Sequence, residues 1–285
     1  MAVCAFASGL LSPPNNWDSM TYKLPRIHYW MQHRSLMVFP AHVTRLIELN
    51  PGAGFTLLHF ELLSGTYKFF YLGQWIAAVA ATLASSLIAR GLGGNRQTQL
   101  FAGALIWSIP MAVLQASSTQ DDLTAAAWIL VFIAFTFKLL KDKSNPSLGW
   151  SFLTGTALGI GLTTKGTVDF FAFPFCLWIG FEALFHFRRR WIPCLAIISI
   201  CTLALAVPFL VRNNSVFGNP YGGPQRIMIT NQRWGLDVLL ANTARNIGVN
   251  FATSNRRHNS KVFRKTVDVL APFGITINME EATFP

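Results

Sequence analysis

The stretch Phe69–Ala89, FFYLGQWIAAVAATLASSLIA, decides the fold, because it is predominantly apolar and carries no charge. A helix needs about 20 apolar residues to cross the hydrocarbon core of a bilayer. A second stretch, Trp191–Val211 (WIPCLAIISICTLALAVPFLV), meets the same requirement. Since a helix satisfies its own backbone hydrogen bonds, it is the structure that lets such stretches lie in lipid. The two stretches therefore predict an all-α, polytopic membrane helix bundle.

The composition of the whole chain agrees with this class. Hydrophobic residues make up 52% of the 285 residues and charged residues only 12%, whereas ordinary globular chains carry roughly 25% charged residues. The net charge of +11 fits an anionic lipid surface or a phosphate-bearing substrate. Nucleic acid is not expected as a partner, because apolar stretches dominate and the sequence contains no nucleic-acid-binding motif.

Six stretches are long and apolar enough to predict full membrane spans. They are Phe69–Ala89, Gln97–Gln120, Leu123–Phe137, Ser144–Thr164, Phe170–Phe187 and Trp191–Val211. The shorter apolar stretch Ala2–Leu11 predicts the outer half of a further helix. We expect a transmembrane domain at residues 1–211 and a polar, outward-facing segment at 212–285. The half-length first stretch and the polar end lead us to expect a fragment of a longer protein.

The distribution of Lys and Arg over the short loops predicts the orientation of the bundle. Cytoplasmic loops carry an excess of these residues, and alternate loops of this chain are basic: Arg90–Arg96, Lys138–Lys143 and Arg188–Arg190. We therefore expect these three loops on the cytoplasmic face. The opposite, outer face receives Pro13–Asn50, Ser117–Asp122, Thr163–Gly166 and Arg212–Pro285.

The first outer loop, Pro13–Asn50, is too long for a simple turn. Apolar side chains recur within it at steps of three and four residues, which is one stripe of a helix. The stripe contains Trp17, Met20, Leu24, Ile27 and Met31. It predicts an amphipathic helix lying in the membrane interface, kinked at Pro25, with a second short helix near Ala41–Leu49. An ordinary loop helix packed on the bundle fits the same pattern.

Three motifs fall in the segments predicted to share the outer face. They are Pro14–Tyr22 (PNNWDSMTY) followed by Leu24–Arg26 (LPR), Ser117–Asp122 (SSTQDD), and Arg212–Asn213 with Phe217–Pro220 (FGNP). Together they resemble the bacterial GT-C glycosyltransferases, the polytopic group that includes dolichyl-phosphate-mannose protein mannosyltransferases and lipid A aminoarabinose transferases. The resemblance covers roughly residues 13–222 in order.

The resemblance implies an activity and a location. Such enzymes take a sugar from a polyprenyl-phosphate carrier and pass it to a lipid, glycan or protein acceptor outside the bacterial cytoplasmic (inner) membrane. The carboxylate of their first outer loop is the catalytic base, which corresponds here to Asp18. A second acid near the next outer turn holds substrate or a metal, which corresponds to Asp122, with Asp121 as its rival. No cofactor is assigned, and a divalent metal at Asp18 and Asp122 is left open.

The residues of the outer face allow the same chemistry. Displacing a lipid phosphate from a sugar needs a base for the acceptor hydroxyl and cations for the leaving phosphate. Lys165 and Arg212, with Arg26 as a weaker candidate, are the cations expected to contact the phosphate, since Lys and Arg are natural phosphate partners. A single displacement with one base would invert the anomeric centre, by the logic of inverting glycosidases.

Each of these residues also has a purely structural interpretation. Asp18 fits the N-cap of the loop helix, and Asp121 and Asp122 fit the cap of the helix that begins near Leu123. Lys165 fits a side chain that extends to the interface at the end of a span. At the level of function, a transporter or lipid flippase and an inactive membrane fragment compete with the glycosyltransferase. A transporter would place its charges near the bilayer midplane, whereas these acids cluster at one face.

Overall fold

The computed structural model describes residues 1–141, 145–185, 189–223 and 233–277. Every regular element in these ranges is helical, which confirms the all-α class. The chain forms two compact units, Met1–Tyr221 and Gly222–Pro285. The first unit therefore extends beyond the boundary expected after residue 211, because the helix that begins at Trp191 continues to Phe217.

The first unit contains eleven α-helices in its described part. A π-helical turn at Ser19–Lys23 precedes α2, and a 3₁₀ turn at Tyr67–Phe69 precedes α5. The helices are α1 (Ala2–Leu11), α2 (Leu24–His33), α3 (Arg45–Glu48), α4 (Gly52–Ser64), α5 (Leu72–Gly91), α6 (Arg96–Ile106), α7 (Pro110–Gln115), α8 (Asp122–Leu139), α9 (Leu148–Thr164), α10 (Val168–Phe185) and α11 (Trp191–Phe217).

Four helical segments are long and apolar enough to cross a membrane: Tyr67–Gly91, Asp122–Leu139, Val168–Phe185 and Trp191–Phe217. They correspond to four of the six predicted spans, and α9, at 17 residues, corresponds to a fifth. Their outward surface is apolar, as Phe170 (77% exposed) and Ile200 (65% exposed) illustrate. Soluble proteins rarely expose large apolar patches, so the surface is one that lipid would cover.

The stretch Gln97–Gln120 differs from the single span predicted for it. The helix α6 ends at Ile106, and α7 begins only at Pro110. Proline lacks an amide hydrogen and its ring clashes with the preceding helical turn, so it favours the first position of a new helix. Because this stretch carries no charge, its hydropathy predicted a single span. Pro110 instead interrupts the helix and begins a new one.

The core of the bundle lies where α9 packs between α8 and α11. Trp191 and Cys194 of α11 and Phe132 of α8 are almost fully buried in it. Close approach of α9 to α11 depends on small residues: a methyl group at Gly155 would lie 2.6 Å from the carbonyl oxygen of Ile198. Small residues at helix contacts let membrane helices approach closely.

Gly155→Ala is expected to destabilise the bundle. Its added methyl group would force α9 and α11 apart, and overpacking of this kind costs about 1–3 kcal/mol. The matched control is Gly180→Ala on α10, where an added methyl group would meet no atom within 4 Å. Thermal unfolding in detergent should show a lower midpoint for Gly155→Ala alone. Equal midpoints for the two variants would refute the close contact between α9 and α11.

The first loop forms a helix, as predicted, but packs differently along its length. Ile27 (0% exposed) and Trp30 (5%) lie against α4, whereas Trp17 (76%) and Met20 (59%) are exposed. The C-terminal half is therefore a loop helix packed on the bundle, and the N-terminal half keeps an apolar surface. Pro25 has no amide hydrogen to continue the α-helical pattern, and the π-helical turn ends directly before α2 at this point.

The second unit contains two helices in its described part, α12 (Leu236–Asn250) and α13 (Arg256–Leu270). They pack against each other through Gly248, where an added methyl group would lie 2.9 Å from the Thr266 hydroxyl oxygen. Val238 and Ala241 of α12 and Leu270 of α13 are buried. The basic side chains of α13 are exposed, in keeping with a polar segment.

Candidate functional site

The segments predicted to share the outer face contact one another at one end of the first unit. The Asn50 amide donates to the carbonyl oxygen of Leu162 at 2.6 Å, and the Arg212 guanidinium donates to that of Ile47 at 2.6 Å. At the other end of the helices, Arg190 of one predicted cytoplasmic loop donates to the Asn145 side chain, just before α9, at 3.3 Å. The orientation predicted from charge parity stays a prediction.

The first two motifs bind directly to each other. The Gln120 amide donates to the Asn16 side-chain oxygen at 3.2 Å, and the hydroxyl oxygens of Ser19 and Thr119 are 2.5 Å apart. Ser19 and Thr119 are almost completely buried. The helix that begins the first loop is therefore fixed against the turn before α8.

An ion cluster lies directly beside this contact. The Lys23 ammonium is 2.7 Å from one carboxylate oxygen of Asp121, and the Lys165 ammonium is 3.5 Å from the other. Lys165 also contacts the Asp122 carboxylate. The Lys23 and Asp121 side chains are only 7% and 13% exposed, whereas Asp122 is 48% exposed. The cluster thus joins the first loop, the turn before α8 and the end of α9.

Other side chains perform the capping suggested for these acids. Asn16 accepts from the backbone amide of Ser19 at 2.8 Å, and Gln115 accepts from that of Leu123 at 3.1 Å. Asp18 and Asp121 occupy N-cap positions, but their side chains make no capping hydrogen bond. Capping therefore does not explain why aspartates stand at these two positions.

Burial and charge shift the pKa values of the groups in the cluster. Burial raises the pKa of the Tyr22 hydroxyl, and the negative charges of Asp121 and Asp18 raise it further. Burial alone would raise the pKa of Asp121, but the charges of Lys23 and Lys165 outweigh it and hold that pKa below its usual value. At neutral pH, Asp121 is therefore a carboxylate and Tyr22 a hydrogen-bond donor.

Asp18 differs from Asp121 and Asp122 in its pairing. It is half-buried and lies beside the Tyr22 hydroxyl, and it makes no ion pair within the described part of the chain. Asp121 and Asp122 each bind an ammonium group, and the charges of Lys23 and Lys165 lower the pKa of Asp121. Asp18 is the acid of this group whose carboxylate is left to accept a proton.

The two arginines singled out from the sequence hold the first loop in place. Arg26 is 5% exposed and donates to the carbonyl oxygens of Arg45, Leu46 and Asn50 at 2.8, 2.6 and 3.3 Å. Arg212 donates to Ile47 of the same segment. The contact with phosphate stays a prediction for both residues, and the guanidinium of Arg26 is already committed to backbone carbonyls.

Lys23 and Ser19 were not singled out from the sequence, although both lie in the site. Their signal is spacing: Asn16, Ser19 and Lys23 recur at steps of three and four residues, which places them on one side of a helix. A lysine on the packed side of a helix requires an acidic partner. The apolar stripe on the same helix was used to predict its packing, and the polar side formed by Asn16, Ser19 and Lys23 was not considered.

A divalent metal does not fit this arrangement of side chains. The described residues include no group of three or more His, Cys, Asp or Glu side chains that could hold a metal ion. Of the two acids left open for a metal, Asp122 already contacts the Lys165 ammonium, whose charge would repel a divalent cation placed beside it.

No known protein family, curated protein or solved structure matches this chain.

Proposed function

We propose that this chain is a membrane glycosyltransferase that moves a sugar from a polyprenyl-phosphate carrier to an acceptor on the outer face of the membrane. The observation that supports the proposal most is the pairing pattern of the three acids. Asp121 and Asp122 hold lysine ammonium groups in place. Asp18, two residues after Asn16 and five before Lys23, retains a carboxylate that can take a proton.

The proposed reaction is a single displacement at the anomeric carbon. Asp18 takes the proton of the acceptor hydroxyl, whose oxygen forms the new bond to the anomeric carbon. The bond from that carbon to the phosphate oxygen breaks, and its electron pair leaves with the lipid phosphate. The anomeric configuration is inverted, and the Tyr22 hydroxyl beside Asp18 orients the carboxylate.

Lys165 is the cation best placed to contact the leaving phosphate. Its ammonium group has three N–H donors, of which Asp121 and Asp122 engage two. The side chain is 31% exposed, so the third donor can reach a ligand. Lys23 is too deeply buried for that role, and its charge instead fixes Asp121.

The position of the charges favours surface chemistry over transport. Asp121 directly precedes α8 and Lys165 directly follows α9, so the cluster lies at helix ends. Transporters place substrate and ion sites near the bilayer midplane, often at broken helices. A polyprenyl-phosphate headgroup lies at the membrane surface, which is where helix ends meet water.

Sugar transfer in proteoliposomes tests the proposal. The purified chain would be reconstituted with radiolabelled polyprenyl-phosphate mannose or glucose, and membranes of the source cell would be added as a mixture of acceptors. We expect label to move from the carrier lipid to an acceptor in a time-dependent way. Movement of intact labelled lipid between leaflets without sugar transfer would instead establish a flippase. Label that stays on the carrier with both sugars would count against the proposed function.

A further inference from the structure

A cleft of about 430 Å³ adjoins the ion cluster. It lies between the end of α1, the first residues of the loop and the turn before α8, and Ser12, Asn15, Asn16, Gln115 and Gln120 are among its lining residues. Its volume falls within the range of about 300–1,000 Å³ that is usual for small-molecule sites. The cleft is therefore large enough for a monosaccharide.

The lining of this cleft is uncharged and combines polar with apolar groups. None of its lining residues is Asp, Glu, Lys, Arg or His, and eight of the twelve are Ser, Asn or Gln. Asn15 and Ser12 make no side-chain hydrogen bond with the described part of the chain, so their donors and acceptors are available to a ligand. Serine hydroxyls and carboxamides are groups that donate to and accept from sugar hydroxyls.

Neighbouring residues connect the uncharged cleft with the charged cluster. Gln120 lines the cleft and binds Asn16, and its neighbour Asp121 binds Lys23. Asn16 and Lys23 are seven residues apart in the first loop. Asp18 lies between them in sequence. A ligand that reached from the cleft to the cluster would thus present first an uncharged part and then a charged one.

We propose that this cleft binds a neutral sugar unit, and that it disfavours amino sugars and uronic acids. The inference rests on the proposed function, because a phosphate-linked sugar has the same division into an uncharged ring and a charged group. A charged substituent in the cleft would lose its hydration and gain no oppositely charged partner, which is unfavourable. Transferring the hydroxyl groups of a neutral sugar into the cleft costs much less free energy, since Ser12 and Asn15 can form hydrogen bonds with them.

Saturation-transfer NMR on the full chain in nanodiscs tests the cleft without requiring catalysis. The probes are mannose and glucose, compared with glucosamine and glucuronate. We expect saturation transfer to the neutral sugars and little to the charged ones. The double variant Ser12→Ala/Asn15→Ala should weaken neutral-sugar binding about 30-fold, because two hydrogen bonds of about 1 kcal/mol each are lost and about 1.4 kcal/mol corresponds to a factor of ten. The matched control is Asn214→Ala, at an exposed position on α11.

The outcomes separate this inference from the proposed function. Neutral-sugar binding that the double variant weakens would support the cleft even if the wild-type chain transferred no sugar. If transfer does occur, a rise in KM for the donor assigns the cleft to the donor sugar, and a rise in KM for the acceptor assigns it to the acceptor sugar. Equal binding of charged and neutral sugars, or unchanged binding in the double variant, would overturn the inference.

Discussion

Replacing Asp18 by asparagine is expected to lower kcat for sugar transfer by about 10²- to 10⁴-fold, the contribution of a positioned general base. The amide has nearly the shape of the carboxylate but cannot take the acceptor proton. KM should change little, because Lys165 and the polar cleft are untouched. The fold should also be retained, since Asn16 rather than Asp18 accepts from the first free amide of the loop helix.

The control for this variant is Asp268→Asn, which makes the same change at an exposed position on α13. Rates would be measured with radiolabelled polyprenyl-phosphate sugar under single-turnover conditions, so that product release does not mask the chemical step. The control should transfer sugar at the wild-type rate. A wild-type rate in Asp18→Asn would remove Asp18 from the reaction, even if the chain proved to be a glycosyltransferase.

Replacing Asp121 by asparagine is expected to cause the largest loss of stability among the site variants. The Lys23 side chain is 7% exposed, and without the Asp121 charge its ammonium would be buried and uncompensated. Breaking a buried ion pair in this way costs about 3–5 kcal/mol. The free energy of unfolding would be measured by titration with a denaturing detergent, with native tryptophan fluorescence as the signal.

Asp122→Asn is the matched control for the stability measurement. It removes an acid from the same cluster, but Asp122 is 48% exposed, and exposed ion pairs contribute about 0–1 kcal/mol. The double variant Lys23→Met/Asp121→Leu should recover much of the stability lost in Asp121→Asn, because neither charge then remains buried. Equal losses in Asp121→Asn and Asp122→Asn would mean that the Lys23–Asp121 pair is not buried as described.

Much of the bundle could be predicted because each span must satisfy one simple physical requirement. Stretches such as Phe69–Ala89 and Trp191–Val211 must be long and apolar to cross lipid, and the helices found there extend beyond both predictions. The break before Pro110 was missed, because hydropathy does not register a lost backbone hydrogen bond.

The site could be predicted only in part, because its contacts join residues that lie far apart in the sequence. Asp121, Asp122 and Lys165 were expected on one face, and the structure joins them in one cluster. Lys23 was not expected, since its partner Asp121 lies far away in the chain. The structural role of Arg26 could not be predicted either. Its hydrogen-bond partners are backbone carbonyl oxygens, which a pattern of side chains does not indicate.

The resemblance to GT-C glycosyltransferases rests on short motifs, and the comparisons with known proteins add no support to it. The contact between the first two motifs is independent of that resemblance, since Ser19–Thr119 and Lys23–Asp121 are observed in the structure. Both the resemblance and the proposed reaction require these motifs to lie on the same side of the membrane, within reach of a lipid headgroup.

Labelling of single cysteines from one side of the membrane tests this requirement most directly. Cysteines would be introduced one at a time at Asn15, Thr167 and Arg96, all exposed positions, in a variant without the four native cysteines. A membrane-impermeant maleimide applied to intact cells should label Asn15→Cys and Thr167→Cys but not Arg96→Cys. Labelling of Asn15→Cys and Thr167→Cys from opposite sides would contradict the account, because the ion cluster could not then form.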